Sequence, residues 1–209
     1  QNANTLNTLR PNLFNGGIYF IGKQNYQQAY VLLDQYVSAA EMPMFKAYNY
    51  PAEDRYLPVA AYWAAYCGYK MNDARKVLHN TYLALKDKEH HESMMQYLSA
   101  TYMLEKDTLR SVETLEKGFQ AFPRSSYFYS HLMDYYSRKN DWKTAIELTN
   151  KAIQADSTNA VAWLAKSTLL INTGNYEQSF LIADSLLRRD STLAEAWLNA
   201  GLARYNQGV

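Results

Sequence analysis

Along most of the chain the apolar residues recur at steps of three and four, the spacing that gathers them on one face of an α-helix. The pattern is clearest in residues 73–85, 107–119, 141–153 and 175–187, opened by Asp73, Asp107, Asp141 and Asn175. Each of these short polar residues reads as a helix N-cap. Its side-chain oxygen accepts a hydrogen bond from a first-turn N–H that would otherwise have no partner, worth ~1 kcal/mol relative to Ala. Every run is long enough for a helix of about three turns. Ahead of the caps lie further helical runs, as in residues 126–139 and 160–173. No stretch alternates with the period of two that a half-buried strand requires, so the chain is expected to be all-α.

These helices return at a fixed interval. Successive caps from Asp73 to Asn175 lie 34 residues apart, and so do Trp163 and Trp197, within AVAWLAK and AEAWLNA. Stepping back from Trp163 by the same interval reaches Tyr129, Met95 and Ala61, all in apolar helical runs. Each period is a helix, a tight turn and a second helix, and the period divides the chain into units at 58–91, 92–125, 126–159 and 160–193, with a partial unit at 194–209. An N-terminal unit at 10–43 keeps the same order around its cap, Asn25, which leaves an insert at 44–57. In that insert Pro43, Pro51 and Pro58 bracket Phe45, Tyr48, Tyr50 and Tyr56. This is not the composition of a flexible linker, so the insert is expected to pack on neighbouring helices and to cover the seam between the first two units.

The repeated residues resemble the tetratricopeptide repeat family, whose units carry a bulky residue at position 4, small ones at 8, 20 and 27, a bulky one at 11 and often Pro at 32. Unit 126–159 supplies Tyr129, Leu132, Tyr136, Trp142, Ala145 and Ala152, and departs from the pattern at Met133. Unit 92–125 supplies Leu98, Ser99, Tyr102, Ser111, Gly118 and Pro123, and unit 160–193 supplies Trp163, Ser167, Leu170, Gly174, Tyr176 and Ser179. The N-terminal unit has Leu13, Gly17, Phe20, Tyr26 and Ala29; unit 58–91 keeps Ala64, Ala65 and Ala84 but has Gly68 and Val77 at a bulky and a small position. The resemblance implies an α–α superhelix, a right-handed solenoid of helix-turn-helix repeats forming a single array, with a concave surface lined by the first helices. The first helix of the partial unit is expected either to shield the preceding unit as a terminal cap or to belong to a longer array. The second is favoured, because Trp197 and Leu198 would otherwise lack a covering partner. The Tyr- and Asn-rich repeats are similar to those of exported bacterial proteins, which points to an exported or periplasmic protein whose signal peptide is absent from this chain.

Composition narrows the function. In 209 residues, 21 Lys and Arg face 20 Asp and Glu, without the basic surplus that tracking a phosphate backbone requires, so nucleic acid is not expected as a partner. The longest weakly polar run, residues 57–69, is too short to span a bilayer, so membrane insertion is not expected. The single cysteine, Cys67, allows neither an internal disulfide nor a cysteine-based zinc cluster, and among small neighbours it reads as a core residue. No phosphate-binding glycine loop, dinucleotide fingerprint or nucleophile elbow is present. Glu89-His90-His91-Glu92 is the nearest approach to a metal motif, but adjacent side chains on a helix point ~100° apart and the segment reads as a solvated polar turn. His79 and His131 are isolated, and no carboxylate pair has acid–base spacing. A non-enzymatic protein with no cofactor is expected.

The resemblance instead directs attention to the positions that face the groove. Carried onto this sequence, they give Tyr62, Tyr66, Tyr69, Gln96, Met103, Tyr127, His131, Asp134, Arg138 and Asn172 as partner-binding residues, with Trp63 and Tyr97 beside them. Tyrosine joins a large contact area to a polar tip at low entropic cost, which suits recognition. Tyr62, Tyr66 and Tyr69 stand at i, i+4 and i+7 on one helix face. The lysine and asparagine clamp that grips chaperone tails is missing, since position 5 reads Phe14, Tyr62, Gln96, Ser130 and Leu164. The expected activity is a scaffold that binds a peptide or protein segment in the concave groove. A regulatory or targeting repeat domain of a longer enzyme or sensor is the alternative, and self-association through exposed aromatic faces a third option.

Overall fold

In the computed structural model, which describes residues 2–208, the chain is helical throughout and forms no strand among the described residues. Its helices are α1 (Asn2–Gly22), α2 (Tyr26–Ser38), α3 (Tyr50–Glu53), α4 (Leu57–Lys70), α5 (Ala74–His79), α6 (Thr81–Ala84), α7 (His91–Leu104), α8 (Thr108–Ala121), α9 (Ser126–Arg138), α10 (Trp142–Ala155), α11 (Ala160–Asn172), α12 (Tyr176–Arg189) and α13 (Ala194–Gln207). The fold class is the all-α class of helix-turn-helix repeats. The helices group into two compact units, one reaching to Leu115 and one starting at Glu116.

One turn recurs at the same register in each hairpin. Gln24, Asn72, Lys106, Asn140 and Gly174 take left-handed backbone conformations, with φ between 53° and 77°. The N–H of the residue after each donates to the carbonyl five residues earlier, the 6→1 bond of a Schellman motif: Asn25 to Phe20, Asp73 to Gly68, Asp107 to Tyr102, Asp141 to Tyr136 and Asn175 to Leu170. The closing residue of one helix thereby becomes the cap of the next. Asn25, Asp73, Asp107 and Asp141 accept from the N–H three residues on, at 3.0–3.2 Å. Asn175 does not. Its side chain turns back and donates to the Thr173 carbonyl and hydroxyl.

Small residues let these hairpins close. In the first unit Ala60, Ala61, Ala64 and Ala65 of α4 are fully buried beside Leu33, Leu57 and Met94. A Cβ on Gly68 would sit 2.7 Å from the Val77 backbone nitrogen, so the α4–α5 crossing requires glycine there. In the second unit the buried Phe128 ring lies against Gly118, where a Cβ would come within 2.4 Å of it. Ser167 and Ser179, at positions 8 and 20 of their unit, are fully buried and bond each other's carbonyls at 3.1 and 2.8 Å.

Three features depart from the expected pattern. Residues 73–85 are not one helix but two, α5 and α6, broken at Asn80 (φ −114°, ψ 22°). The Asn80 amide donates to Asp34 at 2.9 Å on α2, so a tertiary contact outcompetes helix continuation. Second, α1 begins at Asn2 rather than near Arg10. The insert explains this difference. It folds as 3₁₀ turns over Ala39–Glu41 and Pro43–Tyr48, then α3. Phe45 and Tyr50 are buried together, with Ala3 packed against them, and the Tyr48 and Tyr50 hydroxyls donate to Asn4 and Asn7 of α1. Third, the insert makes its polar contacts to α1 and the end of α2, through Tyr48, Tyr50 and Asp54, while its last residue, Leu57, is buried in the core that α2 and α4 share.

Candidate functional site

The face shared by α4 and α7 carries one aromatic cluster of the first unit. Tyr62 was expected there as an accessible contact, but it is only 3% exposed. Its ring is sandwiched by neighbours: it stacks on His90 at 4.2 Å, meets Trp63 edge-on at 5.0 Å and faces Tyr97 at 6.1 Å. His90 is fixed in turn by the buried Asp87 carboxylate, 2.7 Å from its Nδ1. The Glu-His-His-Glu segment is thus no solvated turn at His90, which contributes its ring to the packing. Among the described residues no three His, Cys, Asp or Glu side chains gather to hold a metal ion.

Outside that sandwich the rings become accessible. Trp63 and Tyr66 are half-buried and meet edge-on at 5.4 Å. Tyr69 is 37% exposed and stacks on Tyr97 at 4.5 Å. Tyr66 also touches Tyr26 of α2, edge-on at 6.0 Å, and the Lys70 ammonium lies 5.4 Å from its ring. Burial raises the phenol pKa of Tyr62, Tyr66 and Tyr97, and neighbouring phenols add to the rise at the last two. Their hydroxyls therefore stay protonated, as donors, in neutral and mildly alkaline solution. Gln96 is half-buried and donates to Glu92, while Met103 is exposed on the same helix. Cys67, on the buried side of α4, has its thiol pushed up to about 12 by burial, which leaves it protonated and unreactive.

In the second unit Tyr127, His131, Asp134 and Arg138 run along one face of α9 at i, i+4, i+7 and i+11. Nδ1 of His131 donates to the Tyr127 carbonyl at 2.8 Å, and the two rings are 4.2 Å apart. Arg138 donates to Asp134 at 2.9 Å with both side chains largely in solvent. Asn172 is exposed at the end of α11. The sequence singled out Leu198 only as uncovered, and Leu202 and Tyr205 not at all, yet all three are exposed on α13. They occupy positions 5, 9 and 12 of the last unit, the same positions as Tyr62, Tyr66 and Tyr69, so extending the register by one unit would have found them.

A series of capped helical hairpins with small residues at each crossing and aromatic rings on its first helices defines a helical-repeat protein. The sequence matches no protein-family model, and no curated protein matches it either. Solved structures do match. A tetratricopeptide repeat protein from Parabacteroides merdae aligns over 96% of this chain and 74% of its own, with 13% identity and a TM-score of 0.60. The C-terminal part of a tetratricopeptide repeat-containing protein from Cytophaga hutchinsonii aligns over 93% and 71%, with 14% identity and a TM-score of 0.61. A protein of the same repeat type from Bacteroides fragilis covers 95% of this chain and 92% of its own, with 18% identity and a TM-score of 0.51. The chain has the tetratricopeptide repeat fold. No helix among the described residues is long and apolar enough to cross a membrane.

Proposed function

We propose that the protein is a non-enzymatic interaction scaffold that binds a peptide or protein segment on its first-helix faces, which line the concave groove in arrays of this fold. The observation that carries this reading is the ring cluster on α4 and α7. Trp63, Tyr66, Tyr69 and Tyr97 support one another at centroid distances of 4.5–5.9 Å, with Tyr69 the most exposed of the four. Rings held by other rings lose little further entropy when a guest covers them, so the apolar area they give up to it is converted to affinity with small loss. Tyr62 has no part in direct contact; it sets the positions of the rings outside it. On α9, Asp134 and Arg138 satisfy each other until a charged guest separates them, a cost of a few tenths of a kcal/mol for an exposed i, i+4 pair.

The test is selection of a displayed peptide library on the intact chain, followed by calorimetry of the enriched peptides. Tyr66→Ala and Tyr69→Ala are expected to weaken them by about 1 kcal/mol or more each, with the helical circular dichroism unchanged. Arg138→Ala is expected to do the same for peptides carrying an acidic residue. Enriched peptides that bind the wild type and both tyrosine variants equally well would overturn the assignment.

A further inference from the structure

The second helices of the second unit carry a different feature. A groove of about 620 Å³ opens between α8 and α10, with α9 as its base. Phe119, Leu132 and Leu148 form the floor, and Pro123 and Ala155 extend it at one end. The two walls run in the same direction. At one end the Tyr136 hydroxyl donates to Glu116, and at the other the Arg124 guanidinium donates to the Ala155 carbonyl at 2.9 Å.

The rim is polar and, among the described residues, Gln120, Glu147, Lys151 and Gln154 have no hydrogen-bond or ion-pair partner. Glu147 and Lys151 stand at i, i+4, yet no ion pair joins them, so both charges remain available. The polar groups are not evenly distributed. Glu116, Glu147 and Thr144 lie toward one end, whereas the carboxamides of Gln120 and Gln154 lie toward the Pro123 end. The two carboxylates make the Glu116–Glu147 end of the groove negative, while the cations Lys151 and Arg124 lie toward the Pro123 end, so a cationic side chain of a guest is favoured at the first end. Carboxamides carry both a donor and an acceptor, the pair that a peptide backbone needs. From Thr144 to Ala155 α10 rises ~16 Å, the length of about five extended residues at ~3.3 Å each.

We propose that this groove is a second polypeptide-binding site, which takes an extended segment of about five residues with an apolar side chain over the floor and a lysine or arginine two positions away at the Glu116–Glu147 end. Residues two apart on an extended chain point the same way, so one side chain enters the floor while its neighbour meets the carboxylates. Gln120 and Gln154 hold the backbone at the other end. The site shares no residue with the tyrosine face of α4 and α7.

The probe is the capped peptide acetyl-Ala-Leu-Ala-Lys-Ala-amide, titrated into the ¹⁵N-labelled full chain to millimolar concentration, beside its Lys-to-Glu counterpart. Saturable amide shifts are expected in α8 and α10 and in the side-chain amides of Gln120 and Gln154, with those of Tyr66 and Tyr69 unmoved. Glu147→Lys, an exposed change, should weaken the lysine peptide about fivefold or more and reverse the preference between the two peptides. Gln154→Ala should weaken both. The proposal is overturned by the absence of saturable shifts, by equal affinity for the lysine and glutamate peptides, or by shifts confined to the first helices. That last outcome would support the tyrosine face instead, so the two assignments fail separately.

Discussion

Asp54→Ala removes one carboxylate from a buried network that ties the insert to α1 and α2. The Arg10 guanidinium lies 3.7 Å from the Tyr36 ring centroid and 3.9 Å from that of Tyr50. It donates to Asp54 at 2.6 Å and, through Nε and Nη2, to the Tyr36 carbonyl at 3.3 and 3.0 Å. The same Asp54 oxygen accepts the Tyr36 hydroxyl at 2.8 Å, and the other accepts the Tyr56 N–H at 2.9 Å. Arg10 and Asp54 are only 6% and 10% exposed. Without the carboxylate the guanidinium keeps a carbonyl and two aromatic faces but has no counter-charge, a loss of ~3–5 kcal/mol for a buried pair broken on one side. The Tyr36 hydroxyl loses its acceptor as well, for ~1 kcal/mol more. Because the chain forms two compact units, the appropriate readout is local. Hydrogen exchange in α1 and α2 should accelerate on the order of 10²-fold or more, since each 1.4 kcal/mol is about a factor of ten. Arg138→Ala is the control, because that pair is 79% and 59% exposed and should be worth only a few tenths of a kcal/mol. Arg10→Met combined with Asp54→Leu should recover most of the loss, since apolar residues can replace a whole buried pair. If Asp54→Ala accelerates exchange in α1 and α2 no more than Arg138→Ala does in α9, the network does not hold the unit together.

Two further outcomes are expected. Gly118→Ala should lower the melting temperature through an overpacking cost of ~1–3 kcal/mol, because its Cβ would meet the Phe128 ring at 2.4 Å. Gly201→Ala, on α13 with nothing within 4 Å, should instead gain ~0.5–1 kcal/mol; the reverse order in thermal melts would refute the packing account. In acid, the Asp73 carboxyl is held below its ordinary value chiefly by the Lys76 side chain, Asp107 by the Arg110 N–H and Asp141 by the Thr144 hydroxyl. A depressed folded pKa gives stability that is present above the unfolded value of ~3.9 and is lost as pH falls through the folded values. Replacing all three by Asn keeps an oxygen for the cap while removing the charge, so the melting temperature of that variant should fall less steeply below about pH 4. Equal slopes in the two proteins would show that the caps do not contribute to acid lability.

The repeat was legible because its determinants are local and periodic. A cap, a small residue at a crossing and a three-four apolar step all act within one hairpin, so each appears in the sequence at the same interval as in space. What was not legible depends on long-range partners. The break at Asn80 exists because Asp34, 46 residues away, captures its amide. The early start of α1 depends on Tyr48 and Tyr50, whose hydroxyls reach back over more than 40 residues to Asn4 and Asn7. Asn175 has the residue type and position of a cap, but Thr173 just before it offers a competing hydroxyl and carbonyl, a choice that composition alone does not settle.

The site was legible in register but not in exposure. Positions 5, 9 and 12 share one face of the first helix of each unit, yet whether a residue there is available depends on the following helix. On α4 the ring at position 5, Tyr62, is closed off by His90 just before α7, and the ring at position 12, Tyr69, stacks on Tyr97 and is 37% exposed. The same positions on α13 carry Leu198, Leu202 and Tyr205, and all three are exposed. On the proposed reading, a tyrosine-rich face divides its rings between two tasks by neighbour contact: inner rings fix geometry, and outer rings hold area for a guest. Substitution separates these tasks, because loss of an outer ring such as Tyr69 removes contact area while the fold persists. Loss of Tyr62 should open a cavity beside Trp63, His90 and Tyr97 and, if the proposed face binds a guest, weaken binding by disordering that face.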